Sequence, residues 1–246
     1  MRIKFIVIVL FWWSSWLSIS AKEKVKILPP EAAQHSVEQL RTIAKENHYR
    51  DLDSALAYAN LALKKSDSYA VTATIHRDIG LFYESHNFVA EAHQNYQLEL
   101  AYAERSQNTD AIIAAYTDLA IISRRRADYK VCKDYHLKAL ELAQTLPTTN
   151  AVETTYHGLG SLYKDIGDYE TAVEYYLKTI ELTEKRGDIP NAINTKQFVA
   201  NTYAESGNIE LALNTIEEAY DQTLTISDSM LIGIVVFDYG KILNIA

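Results

Sequence analysis

The chain has 246 residues and a formal net charge of −8, with 48% apolar and 23% charged residues. Those proportions exclude disorder, and 8 Gly with 4 Pro are too few for an all-β fold or a low-complexity chain. One cysteine, Cys132, excludes a disulfide framework within the chain and a multi-cysteine zinc site, and the acidic balance argues against nucleic acid as a partner.

Residues 1–21 read as a secretory signal peptide. Arg2 and Lys4 supply a basic start, and Phe5 to Leu17 is an apolar run interrupted only by Ser14 and Ser15. Ser18, Ser20 and Ala21 then supply the small residues of a cleavage site. The run falls short of the roughly 20 residues that span a bilayer. Cleavage is therefore expected rather than an uncleaved membrane anchor, and the mature chain is expected in the periplasm or another extracytoplasmic space. Loss of Arg2 and Lys4 takes the net charge from −8 to −10. Residues 22–35, with Pro29-Pro30, form a linker.

From there a 40-residue period runs to the end. Gly80, Ala120, Gly160, Ala200 and Gly240 are evenly spaced small residues, and Ala92, Cys132, Ala172 and Ala212 follow the first four at a constant distance. Each unit resolves into two helices. Around Gly160, the residues Tyr156, Leu159 and Tyr163 share its helical face. Gly167-Asp168 then breaks the helix and caps the next, whose apolar stripe is Ala172, Tyr176 and Ile180. Small residues let the two helices approach closely, and rings fill the gaps beside them. Nine tyrosines (among them Tyr83, Tyr96, Tyr163, Tyr176 and Tyr203) fall on recurring positions and read as packing. Repeats are expected to start near Ala73, Ile113, Glu153 and Ile193, with a less regular one near Ser36 and a half repeat from Gly233.

The series Tyr156…Leu159-Gly160…Tyr163…Gly167-Asp168-Tyr169…Ala172…Tyr176 resembles the tetratricopeptide repeat. The longer period is more similar to repeats of bacterial regulatory proteins and kinesin light chains than to the chaperone-binding type. The resemblance implies an all-α fold: a right-handed superhelical solenoid of antiparallel helix hairpins over residues 36–246. It also implies a concave groove, lined by first-helix side chains, that binds a protein or peptide. Carried over by repeat position, the groove residues are Arg77, Thr117, Arg124, His157, Lys164, Gln197 and Asn201. The two-carboxylate clamp of the chaperone-binding group is absent, since its positions hold Arg77 and Leu81, Thr117 and Ile121, and His157 and Ser161. Arg77, Arg124 and Lys164 are expected to form a cationic strip for an acidic peptide or small anion, against the plainer reading of solvated helix ends.

No catalytic constellation is present, so neither an enzyme nor a metal or cofactor is expected. The seven histidines lack zinc-protease spacing, and there is no phosphate loop or nucleophile elbow. Cys132 and His136 stand at packing positions. Met230 to Ala246 is apolar on most sides, yet too short and too charged at Asp238 and Lys241 to span a membrane. The last helix therefore reads as the start of an interrupted array. With the signal sequence, this resembles the extracytoplasmic sensory half of bacterial signalling receptors, in which repeats precede a membrane helix and a cytoplasmic output.

Overall fold

The structure, a computed structural model, describes residues 26–226 and 228–245. The signal segment expected at residues 1–21 and the first part of the linker lie outside the described residues. Every regular element among those described is helical, and the chain divides into two units.

The first unit ends at Lys65. A 3-10 turn at Pro30–Gln34 leads into α1 (Val37–Asn47) and α2 (Leu52–Lys65), which form a hairpin. Ser36 and Gln39 form a reciprocal capping box at the start of α1. Ala55, Ala59 and Ala62 are buried along one stripe of α2, and Leu40 and Ala44 are buried along α1. The ε-ammonium of Lys65 donates to the carbonyls of Ala33 and His35, which ties the end of α2 to the turn before α1.

The second unit runs from Ser66 and contains four antiparallel hairpins and a further helix. They are α3 (Tyr69–Ser85) with α4 (Val89–Ser106), α5 (Thr109–Arg125) with α6 (Tyr129–Ala143), α7 (Asn150–Asp165) with α8 (Tyr169–Lys185), and α9 (Ile189–Glu205) with α10 (Ile209–Ile226). Helix α11 (Ser229–Leu243) follows. The two helices of each hairpin pack on each other, and each second helix packs on the first helix that follows it, building the expected right-handed solenoid. The first helices of this unit begin three or four residues before the repeat starts read from the sequence, because the capping residues lie there. Asn108, Asp188 and Asp228 accept from the N–H groups of Ala111, Asn191 and Leu231 at 3.1, 3.3 and 3.0 Å.

One turn recurs inside every hairpin of this unit. Asn87, Ala127, Gly167 and Gly207 have φ of 63°, 59°, 82° and 83°. The next N–H, of Phe88, Asp128, Asp168 or Asn208, donates 2.9 Å back to the carbonyl of Tyr83, Ser123, Tyr163 or Tyr203. This closes the first helix in the left-handed manner that glycine favours.

Packing within the hairpins is matched by size. A Cβ on Gly160 would lie 2.7 Å from ring carbons of Tyr176, and one on Gly80 would strike Tyr96. Both rings are 0% exposed. Where the first helix carries Ala120 or Ala200 instead, the second carries the smaller His136 or Ile216 at the same register. Gly158, whose role is not evident from the repeat pattern, leaves room for the His136 ring. Gly240 departs from the contact role read from its spacing. It is exposed with nothing within 4 Å of a built Cβ, since no described second helix crosses its face.

The half-buried tyrosines also pack. Lys138 lies 5.5 and 5.9 Å from the ring centres of Tyr116 and Tyr135, and Lys178 repeats this over Tyr156 and Tyr175 at 5.9 and 4.8 Å. Cys132 is fully buried, and burial pushes its thiol up to about 11, consistent with the structural role expected for it.

Candidate binding groove

The cations read as a strip are each held by a carboxylate of the following repeat. Arg77 on α3 donates to Asp118 on α5 at 2.6 Å, Arg124 on α5 to Asp165 on α7 at 2.6 Å, and Lys164 on α7 pairs with Glu205 on α9 at 2.8 Å. Glu84 on α3 pairs in the reverse sense with Arg125 on α5 at 3.1 Å. Glu84–Arg125, Arg124–Asp165 and Lys164–Glu205 are the same contact repeated, linking residues 41 apart on successive first helices. These groups are partly exposed, so each pair contributes about 0.2–1 kcal/mol. What they do is neutralise the strip and fix the spacing of neighbouring first helices.

The pair at Arg77 extends inward to a third group. Glu99 on α4 is 2% exposed, takes the place of the usual small residue, and lies 3.9 Å from the same guanidinium. Burial and the neighbouring Asp118 hold its carboxyl far above the usual carboxylate range, so it stays protonated at neutral pH. Such an acid stabilises the fold below its unfolded value of 4.5, and that contribution is lost as pH rises towards the folded value. Glu99→Gln is therefore expected to raise stability at pH 8 by about 1–3 kcal/mol and to change it little at pH 4, measured by denaturant unfolding.

An open polar recess occupies the groove between α7 and α9, with a cavity of about 470 Å³. Its walls are Asn150, Thr154 and His157 on α7 and Asn194 and Thr195 on α9. Its floor comes from α8 and the turn after it: Thr179, Thr183, Arg186 and Asp188. Thr183 and Thr195 turn their hydroxyls back onto helix carbonyls at 2.9–3.0 Å. Arg186 donates to buried Glu153 at 2.7 and 3.2 Å and to Asp188 at 2.9 Å, and Thr149 donates to Glu153 at 2.6 Å. Two carboxylates thus stand against one guanidinium. Burial, then Arg124, lowers the His157 pKa and keeps that ring neutral, edge-on to Phe198 at 4.6 Å with Nε2 unpartnered. The carboxamides of Asn150 and Asn194 carry no side-chain hydrogen bond among the described residues.

The structure brings together only part of the residue set predicted for the groove. His157 joins the recess. Thr117 bonds back to the Ile113 carbonyl at 2.9 Å, and Asn201 is half-buried outside the recess. Gln197 departs most: it is 3% exposed, so its amide belongs to the packed interior rather than an open wall. The floor residues Thr179, Thr183 and Arg186 lie on a second helix and its cap, outside an assignment confined to first helices. Their signal is a run of polar residues on the stripe that carries Ala172, Tyr176 and Ile180. No group of three or more His, Cys, Asp or Glu side chains able to hold a metal ion occurs among the described residues.

Helical hairpins at this period, closed by a common turn and stacked through small-residue contacts, define a repeat scaffold. Residues 110–185 and 152–224 match the sequence profile described as tetratricopeptide repeat, and the repeats they span belong to that family. Comparison with curated proteins finds none that matches. Among solved structures, aspartyl phosphate phosphatase F from Bacillus subtilis is similar at 12% identity and a TM-score of 0.76, covering 86% of this chain and 56% of that one. A Rap protein complexed with competence and sporulation factor is similar at 12% identity and 0.69, covering 85% and 59%. Kinesin light chain repeats from Podosopora anserina are similar at 13% identity and 0.65, covering 81% and 99%. At these identities the likeness is one of fold, and the fold is that of a scaffold for protein interaction.

Proposed function

We propose that the chain binds an extended peptide in the recess between α7 and α9, without a chemical step, and that it does so after export from the cytoplasm. The observation that carries the binding site is the polar recess itself. Asn150 and Asn194 each offer a donor and an acceptor, the complement of a peptide bond, from facing first helices. Because the lining has one more carboxylate than cation, the favoured peptide is uncharged or basic. That departs from the acidic ligand suggested by the cations alone. Peptides selected from a displayed library by the full chain are expected to bind the Asn150→Ala/Asn194→Ala variant at least about tenfold more weakly. Equal binding by that variant, or enrichment of acidic peptides, would count against the site.

Export rests on Arg2, Lys4 and the apolar run Phe5 to Leu17. Expressed in a bacterial host, the chain is expected to be recovered outside the cytoplasm with a new N-terminus after Ser20 or Ala21. Leu10→Arg, which breaks the apolar run, is expected to leave it unprocessed inside. Processing that continues in that variant would refute the assignment.

A further inference from the structure

The groove face of α3 and α5 is aliphatic between two ionic links. Arg77 bonds Asp118 at 2.6 Å and Arg125 pairs with Glu84 at 3.1 Å, so the two helices are tied at two levels. Leu81 stands four residues after Arg77 and three before Glu84, and Ile121 stands three after Asp118 and four before Arg125. Those steps put both on the helix faces that carry the links, side by side in the frame between them. Leu81 is 43% exposed and Ile121 half-buried. Each link pairs one cation with one carboxylate, so the frame adds no net charge. The next two first helices place Ser161 and Asn201 at this repeat position. The groove therefore changes character along its length, from an aliphatic patch between α3 and α5 to the polar recess between α7 and α9.

We infer that the peptide held in the recess runs on across α7 and α5 and seats an aliphatic side chain on Leu81 and Ile121. This rests on the recess as the peptide site, and adds to it the class of peptide and a spacing. First helices packed side by side lie about 10 Å apart, so the patch and the recess, two helix spacings from each other, are separated by about 20 Å. An extended chain covers that distance in about six residues. The ligand is thus a segment of at least about seven residues, with an aliphatic residue about six positions from the uncharged or basic residue in the recess. A paired, polar frame around an aliphatic centre matches the rim and core of an interface. A charged ligand residue placed there would lose hydration against Leu81 and Ile121 and find the framing charges already paired.

Selection by the full chain from a displayed library of random peptides about twelve residues long, enough to span both contacts, tests this. Enriched peptides are expected to carry Leu, Ile, Val or Met about six positions, in either direction, from an uncharged or basic residue. Replacing that aliphatic residue by Ser, or making Leu81→Asp in the chain, is expected to weaken binding at least about tenfold. The two changes together should cost little more than either alone, because they remove one contact. Leu81 is exposed, so circular dichroism and a melting curve should show the variant folded. Leu211→Asp, at an exposed leucine on α10, should bind as the wild type does. Peptides that need Asn150 and Asn194, yet bind the Leu81→Asp chain as tightly as the wild type, overturn the inference and leave the recess standing. An aliphatic preference directly beside the polar residue, instead of about six positions away, overturns it in the same way. Peptides that need Leu81 but not Asn150 and Asn194 overturn both readings, as does a library that yields no binder.

Discussion

Lowering the pH from 7 to 4.5 is expected to cost the fold about 2–3 kcal/mol through a single side chain, His136. The ring is 1% exposed, wedged at Gly158, and neither nitrogen has a hydrogen-bond partner. Burial, then the charge of Arg124, then His157 lower its pKa from 6.5 to about 4. Between those values the unfolded chain binds a proton that the folded chain refuses, so stability is complete above 6.5 and falls as pH drops towards 4. His76, His93 and His157 are shifted in the same direction by burial. Glu99 acts with the opposite sign, so the wild-type curve alone does not isolate His136. The variant His136→Leu does: the difference in unfolding free energy between it and the wild type should change by about 2–3 kcal/mol between pH 7 and 4.5. A difference that stays constant with pH would show that the ring titrates normally.

Gly160→Ala is expected to destabilise by up to about 2 kcal/mol, although alanine is the better helix former. The new methyl would sit 2.7 Å from Cδ1 and Cε1 of Tyr176, whose ring is 0% exposed and whose hydroxyl is within 3.1 Å of Ser161 Oγ. The ring has no room to retreat, so overpacking of about 1–3 kcal/mol outweighs the roughly 1 kcal/mol gained in helix propensity. At Gly240, with nothing within 4 Å, only the propensity gain remains. Gly240→Ala should therefore stabilise by about 0.5–1 kcal/mol. Combining Gly160→Ala with Tyr176→Ile, which copies the Ala200 and Ile216 pairing, should make the two changes cost less together than their sum. Thermal unfolding of the four variants measures this, and additive effects would refute the size-matching account.

The fold was legible because its main determinant is periodic. Small residues every 40 positions, with rings at a constant offset, specify stacked hairpins before any coordinate is known. Helix starts were less legible, since Asn108, Asp188 and Asp228 cap from outside the apolar pattern. The groove was legible only in part. Assigning first-helix positions one repeat at a time finds Arg77, Arg124 and Lys164 but not their partners, because Asp118, Asp165 and Glu205 belong to the next repeat. The floor of the recess was missed for a related reason: Thr179 and Thr183 sit where the repeat pattern asks for packing. Gly158 explains itself only through His136, a residue of the preceding repeat.

The contact that joins residues 41 apart also gives the repeats an order. Glu84 faces Arg125, whereas Arg124 faces Asp165 and Lys164 faces Glu205, so the polarity reverses after the first link. Excision of the α5–α6 unit would set Glu84 against Asp165, two acids. Excision of the α7–α8 unit would set Arg124 against Glu205, and the attraction would survive. Repeats that look interchangeable in their apolar pattern are thus keyed to particular neighbours, and gene rearrangements that lose or shuffle a unit are tolerated at some junctions and opposed at others.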